Sequence, residues 1–199
     1  MRTLLAVAVV LTALAFVPVG AHLFELPNKI ALSQQQYFIV QSIYRGWALF
    51  GCVIFAAIGA NLLAALTLRR RRKPFWLSLA ASLILASTLL VFFEWTYPVN
   101  LATENWTVMP GGWEVLRAQW EISHATNAIL TFIALCCAAL GRRDAQTSSA
   151  VPTDWRPYLA RRLNRAHKAD RDAVRIFDNG ITRAPEGVER RRKPAMTSG

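Results

Sequence analysis

The chain has 199 residues, 54% of them hydrophobic, with a formal net charge of +11. The apolar residues are gathered in long blocks, which excludes an ordinary soluble core and places the chain among membrane proteins. The basicity is unevenly spread: Arg69–Lys73 is a run of five cations, and the stretch from Arg142 onward holds fourteen of the 23 Lys and Arg. Such clustering speaks for membrane topology rather than nucleic-acid binding, for which no recognised module is present.

Residues 3–21 form the first apolar run, and a helix is predicted over about 3–26. Arg2 before it and Val19-Gly20-Ala21 near its end also fit a cleaved signal peptide. The length of the run, Pro18 within it, and its continuation into His22, Glu25 and Lys29 on one helical face favour a retained helix. Pro27 and Ser33–Gln36 then predict an external loop or a short interfacial helix, with Tyr37, Tyr44 and Trp47 suited to a membrane boundary.

A second helix is predicted over about 46–68. Ala56, Ala60 and Ala64, four apart, form a small-residue seam for close helix contact, and Asn61 can hydrogen-bond across it. The connection Arg69–Lys73 with Pro74 is so short that its two helices must be antiparallel neighbours. A third helix follows over about 75–97 and a fourth over about 116–140, stopping at Gly141. Cys52, Cys136 and Cys137 all fall inside apolar runs and read as small packing residues, with neither disulfide nor metal spacing.

The fold expected is therefore all-α, a four-helix transmembrane bundle (residues 1–141) with both termini cytoplasmic, followed by a basic tail (142–199). Ala145–Thr153 reads as a linker. From Asp154 to about Phe177 the apolar edge Trp155, Tyr158, Leu159 and Leu163, set among arginines, suits a helix on an anionic lipid surface. A partly disordered basic tail, especially after Gly180, is the other reading. The bilayer itself is the first expected partner.

The polar chemistry is concentrated between Glu94 and Asn127, which carries four of the seven tryptophans. Arg117, Glu121, His124 and Asn127 recur at steps of three or four and share a helix face. Counted from the cation side at 1.5 Å per residue, His22, Glu94 and His124 all lie at about 27–30 Å, and Glu25, Arg45 and Glu121 fall close by. An ionisable group at bilayer depth costs about 2.5–3.5 kcal/mol, so these groups must find partners or a purpose.

Three readings of the layer stand open. In the first, Arg45 and Arg117 pair with Glu25, Glu94 and Glu121 and tie the helices together. In the second, a tryptophan-lined pocket holds a small lipophilic ligand, with His and Glu as acid and base. In the third, His22, Glu25, Glu94, Glu121 and His124 hold a divalent metal. Glu-x-x-His on facing helices is the di-iron bundle pattern, but here one copy is present and the other runs His-x-x-Glu. No cofactor is expected on the first two readings.

Tyr97-Pro98-Val99-Asn100, Trp106, and Trp113-x-x-Leu116-Arg117-x-x-Trp120-Glu121-x-x-His124 together resemble the anthrone-oxygenase-like family of small membrane proteins. His22–Pro27 and Tyr44-Arg45-Gly46-Trp47 fit its bacterial members, and the likeness covers about residues 1–141. It implies four membrane helices, a bacterial inner membrane, and by analogy with fungal members a monooxygenase acting on polyketide anthrones with molecular oxygen and no evident cofactor. On that analogy His124 would be the base, with Glu121 orienting it and Arg117 or Arg45 stabilising an oxyanion. Asn100, Trp106 and Trp120 would position the ring, with His22, Glu25 and Glu94 beside them. Two departures stand out: Asn127, where relatives often carry a basic residue, and the basic tail.

The orientation gives a direct prediction. Single cysteines placed at Arg71 and at Glu104 in a cysteine-free background should label only from the inner and only from the outer side, respectively. External labelling at position 71 would reverse the topology.

Overall fold

The computed structural model describes residues 1–150 and 156–181, and all regular structure among them is helical. Helix α1 spans Arg2–Lys29, and α2 spans Gln34–Gln41. Two short 3-10 turns, Ser42–Tyr44 and Trp47–Leu49, lead into α3, Phe50–Thr67. Helix α4, Arg72–Val91, continues through a π turn at Phe92–Thr96 into α5, Tyr97–Ala102. Helix α6 spans Trp113–Ala150 and α7 spans Arg156–Ile181. Among the described residues four helical segments are long and apolar enough to cross a membrane: Arg2–Lys29, Trp47–Thr67, Arg72–Ala102 and Trp113–Thr147. The protein is an integral membrane protein.

The four spans pack in a closed ring, α1 against α3, α3 against α4, α4 against α6 and α6 against α1. Ala57, Ala81, Leu85, Ala134 and Ala138 form the middle of the core. Small side chains let the helix backbones approach closely where hydrophobic driving force is absent. The seam on α3 is only partly the expected one: Ala64 belongs to it, and Ala60 is half-buried. Ala57, Asn61 and Ala64 are buried, whereas Ala56 faces outward. Asn61 sets this rotation. Its amide donates to Thr12 Oγ1 and to the Ala57 carbonyl, both at 2.9 Å, and an amide facing lipid would leave those groups unpaired.

Gly141 does not stop α6. A Cβ there would lie 3.3 Å from Leu77 Cβ and 3.4 Å from Ser78 Oγ, so this glycine serves the close approach of α6 to α4. The helix continues to Ala150, through most of the expected linker. Lys73 Nζ to Asp144 Oδ2 at 2.8 Å, and Arg71 Nη1 to the Ala145 carbonyl at 2.8 Å, hold this extension against the cation loop.

The third span is also longer than expected. It passes Pro98, whose ring would clash with the carbonyl four residues earlier in a regular helix. The preceding π turn widens the coil there. The buried positions of this span run Ala81, Leu85, Thr88, Thr96, Val99. One residue is inserted between Thr88 and Thr96, which rotates the face beyond it by about 100°.

The chain divides into two compact units, Met1–Val151 and Pro152–Gly199. In the second, α7 is amphipathic, with Leu159 and Leu163 exposed on one side and Arg161, Arg165 and Lys168 elsewhere on the helix. Trp155 and the segment after Ile181, including most of the stretch expected to be disordered, lie outside the described residues.

Candidate functional site

The end of the bundle away from the cation loop is built around one ion pair. Helix α1 runs past Pro27 to Lys29, which keeps Lys29 on the face that carries His22 and Glu25. Lys29 is only 3% exposed, and its Nζ lies 2.9 Å from Glu121 Oε1 on α6. Tyr37 of α2 donates to the same carboxylate oxygen at 2.8 Å, and Gln41 Nε2 donates to the Tyr37 hydroxyl at 2.5 Å. The ammonium also lies 3.9 Å from Glu25 Oε2 and donates to the Tyr44 hydroxyl at 3.2 Å, while Tyr44 donates to Glu25. The rings of Tyr44, Trp120 and Tyr37 surround it at 4.6, 4.9 and 5.7 Å. Two buried charges are tolerable only when paired and hydrogen-bonded in this way.

Burial raises the Tyr37 phenol well above its ordinary pKa, and the Glu121 carboxylate adds to the effect. Burial likewise raises Tyr44, helped by its bond to Glu25. Both stay protonated donors at physiological pH. Helix α2 is itself fixed at its start by a capping box between Ser33 and Gln36. Tyr37, Phe38, Val99, Trp106 and Trp120 then pack into a small apolar cluster above the bundle.

Beside the ion pair lies a cavity of about 710 Å³, lined from α1, α3, α4, α6 and the two distal loops. His22 and His124 face each other in it with ring centroids 4.4 Å apart. Trp120 lies 4.1 Å from the His124 ring and 4.8 Å from His22, and its indole N–H donates to Asn100 Oδ1 at 2.9 Å. Five of the lining residues each carry a buried polar atom without a hydrogen-bond partner among the described residues: His22 Nδ1, His124 Nδ1, Gln41 Oε1, Asn127 Oδ1 and Trp106 Nε1. Their residues are hardly exposed, His22 4%, Gln41 5%, Asn127 5% and Trp106 7%, with His124 half-buried. An unpaired buried polar group costs about 1–3 kcal/mol, so five in one cavity are a specific feature and not ordinary packing.

The loop that delivers Trp106 is strained. Glu104, Asn105 and Trp106 have φ of 47°, 56° and 63°, three consecutive non-glycine residues in the left-handed region. Each costs on the order of 1–3 kcal/mol and persists only when its surroundings hold it. Asn105 N–H donates to the Asn100 carbonyl at 2.7 Å, and Trp106 N–H donates to Thr103 Oγ1 at 3.1 Å. On the opposite side of the mouth Gly46, at φ 89°, makes the bend that a residue with a Cβ would resist.

The expected site residues thus separate. His22, His124, Asn100, Trp106, Trp120 and Arg45 line the cavity, with Arg45 exposed at its mouth. Glu121 makes no hydrogen bond to His124: Lys29 and Tyr37 hold its Oε1, and its Oε2 is buried without a hydrogen-bond partner. Arg117 is drawn off to the Leu32 carbonyl at 3.0 Å and stacks 4.5 Å from the Trp113 ring. Glu25 binds Tyr44 and Lys29 at the edge. Glu94 is exposed on the far side of the π turn, apart from the other acids. The expected pairings of Arg45 and Arg117 with acids are therefore replaced by Lys29. Among the described residues no three His, Cys, Asp or Glu side chains come close enough to hold a metal ion. Sequence reasoning left out Lys29, Tyr37, Gln41, Tyr44 and Asn127 as site members. Lys29 was legible from its seven-residue step from His22, but Tyr37 and Gln41 depend on the fold of α2 over the bundle.

Comparison with family models, with curated proteins and with solved structures finds no match to this chain.

The ion pair carries a prediction about stability. Lys29→Met should destabilise the bundle by about 3–5 kcal/mol, because Glu121 would be left buried and unpaired. Adding Glu121→Leu should recover much of the loss. Thermal melts in detergent that show additive losses would mean the two side chains act independently.

Proposed function

We propose that the protein binds a small lipophilic aromatic molecule carrying hydroxyl or carbonyl groups, in the cavity at the distal end of the bundle. The observation that carries this reading is one cavity lined by five residues that each hold an unpartnered buried polar atom, with further walls that mix aromatic and aliphatic side chains with hydroxyls, Asn100 and Asn105. A cavity of this size and character is the usual form of a small-molecule site. The resemblance to the anthrone-oxygenase-like family supports an electron-rich aromatic as the ligand and a bacterial inner membrane as the setting.

The chemistry we propose is oxygenase-like. One imidazole, His124 or His22, takes a proton from the bound aromatic, and the second lies close enough to pass it on. The resulting electron-rich anion is the species that dioxygen oxidises. For an anthrone methylene, CH₂ plus O₂ gives C=O plus H₂O, which balances with no further oxidant. Asn127, Gln41 and Trp106 hold the oxygens of the ring system, and Trp120 stacks beside the imidazoles. Arg45 at the mouth is the one cation placed to meet a developing oxyanion, since Arg117 and Lys29 are otherwise engaged.

The test uses a hydroxylated anthrone with the protein in lipid nanodiscs. Oxygen uptake should rise with protein concentration, and His124→Ala should slow it by about 10²–10⁴-fold, the usual worth of a general base. The melting temperature of His124→Ala should stay near that of the parent chain. Arg117→Ala should instead lower the melting temperature. A retained anthrone with no catalysed uptake would reduce the activity to binding. Equal stability loss in both variants with no effect on a bound anthrone would leave only a helix-tying role for the polar layer.

A further inference from the structure

We infer that the ligand of this cavity carries an apolar tail, and that the tail lies in a slot between α3 and α4 that opens sideways into the bilayer. The inference rests on the cavity being a ligand site. Phe55 of α3 and Phe93 of the π turn both line the cavity, yet they are 60% and 55% exposed on the outside of the bundle. Residues that face both ways mark a gap in the wall. At 1.5 Å per residue from the cation loop, Phe55 sits about 20 Å and Phe93 about 31 Å along the bundle. The gap is thus an elongated slot that runs from the distal half of a hydrocarbon layer about 30 Å thick to its outer edge.

The slot is smooth on the α3 side. Gly51 lines the cavity, and a Cβ built there meets no heavy atom within 4 Å. An alkyl or isoprenoid chain fits such a wall, and it would meet apolar surface along its length. The head end is different. Gln41 Oε1 and Asn127 Oδ1 accept, Trp106 Nε1 donates, and the two imidazoles can do either. This set suits hydroxyls and carbonyls. It does not suit a phosphate or carboxylate: among the described residues the charged ones in the lining are Arg45 and Glu104, one of each sign and both exposed at the mouth. Lys29 is committed to Glu121. The occupant is therefore an uncharged, tailed hydroxy-aromatic of the membrane, of the quinol or alkylphenol class.

The experiment compares two probes in nanodiscs, a benzoquinol with a decyl tail and the same benzoquinol with methyl in place of the tail. Binding is read by tryptophan fluorescence quenching at matched concentrations within the bilayer, so that partitioning cancels. The tailed probe should bind more tightly. Gly51→Phe should weaken it by tenfold or more and leave the methyl probe within twofold. Ile54→Trp, on the same wall, serves as a second obstruction if Gly51→Phe is poorly folded. Equal weakening of both probes, or of neither, would overturn the slot. If only the methyl probe binds the parent chain, the tail inference fails and the cavity reading stands. If neither binds, both fail.

Discussion

A lysine ammonium and a glutamate carboxylate, buried together where water is scarce, set the form of the whole distal end. Lys29 and Glu121 join the last turn of α1 to α6 across 2.9 Å. Separated, each would carry a desolvation penalty of several kcal/mol. The pair recruits Tyr37 to the same carboxylate, and Tyr37 brings α2 down over the bundle. Gln41, four residues on, follows Tyr37 through its hydroxyl and lines the cavity. The ion pair therefore fixes the helices, the cover and one wall of the cavity at once.

Its second consequence is subtraction. Lys29 and Tyr37 hold Glu121 by Oε1, and the histidine one turn further along α6 has no carboxylate partner. His124 meets His22 and Trp120 instead, and both imidazoles keep an unpaired nitrogen. What looks in sequence like one polar layer is two structures side by side. One is an ion-paired network that ties helices, in which Glu121 Oε2 and Arg117 Nε stay without a hydrogen-bond partner. The other is unsatisfied, is roofed by three left-handed residues, and spends stability that packing alone does not require.

The spans were legible because the bilayer imposes length and the Arg69–Lys73 run punctuates it. Depth counting from that run also brought His22 and His124 to one level, and they are in contact. Face was harder to read than depth. Glu94 sits at the expected height but turns outward: nine residues beyond the buried Leu85, it falls on the opposite side of the helix, which a count of depth does not register. Lys29 was set outside the first span by Pro27, although a helix can carry proline near its end when the ion pair beyond holds it. Gly141 reads as a stop and is a contact, since a glycine in sequence does not say whether it frees the backbone or makes room for a neighbour. Asn127, on the same helix face as His124, lines the cavity and keeps a buried oxygen without a partner.

The division of the polar layer can be read from the histidines themselves. The chain has three, and His167 on α7 lies outside the bundle as an internal control. Nitrogen-15 NMR of histidine-labelled protein in nanodiscs, titrated with a hydroxylated anthrone, follows each ring separately. The ring signals of His22 and His124 should move together and saturate, while His167 stays in place. No movement at His22 and His124, or equal drift of all three, would contradict a ligand site built on the histidine pair.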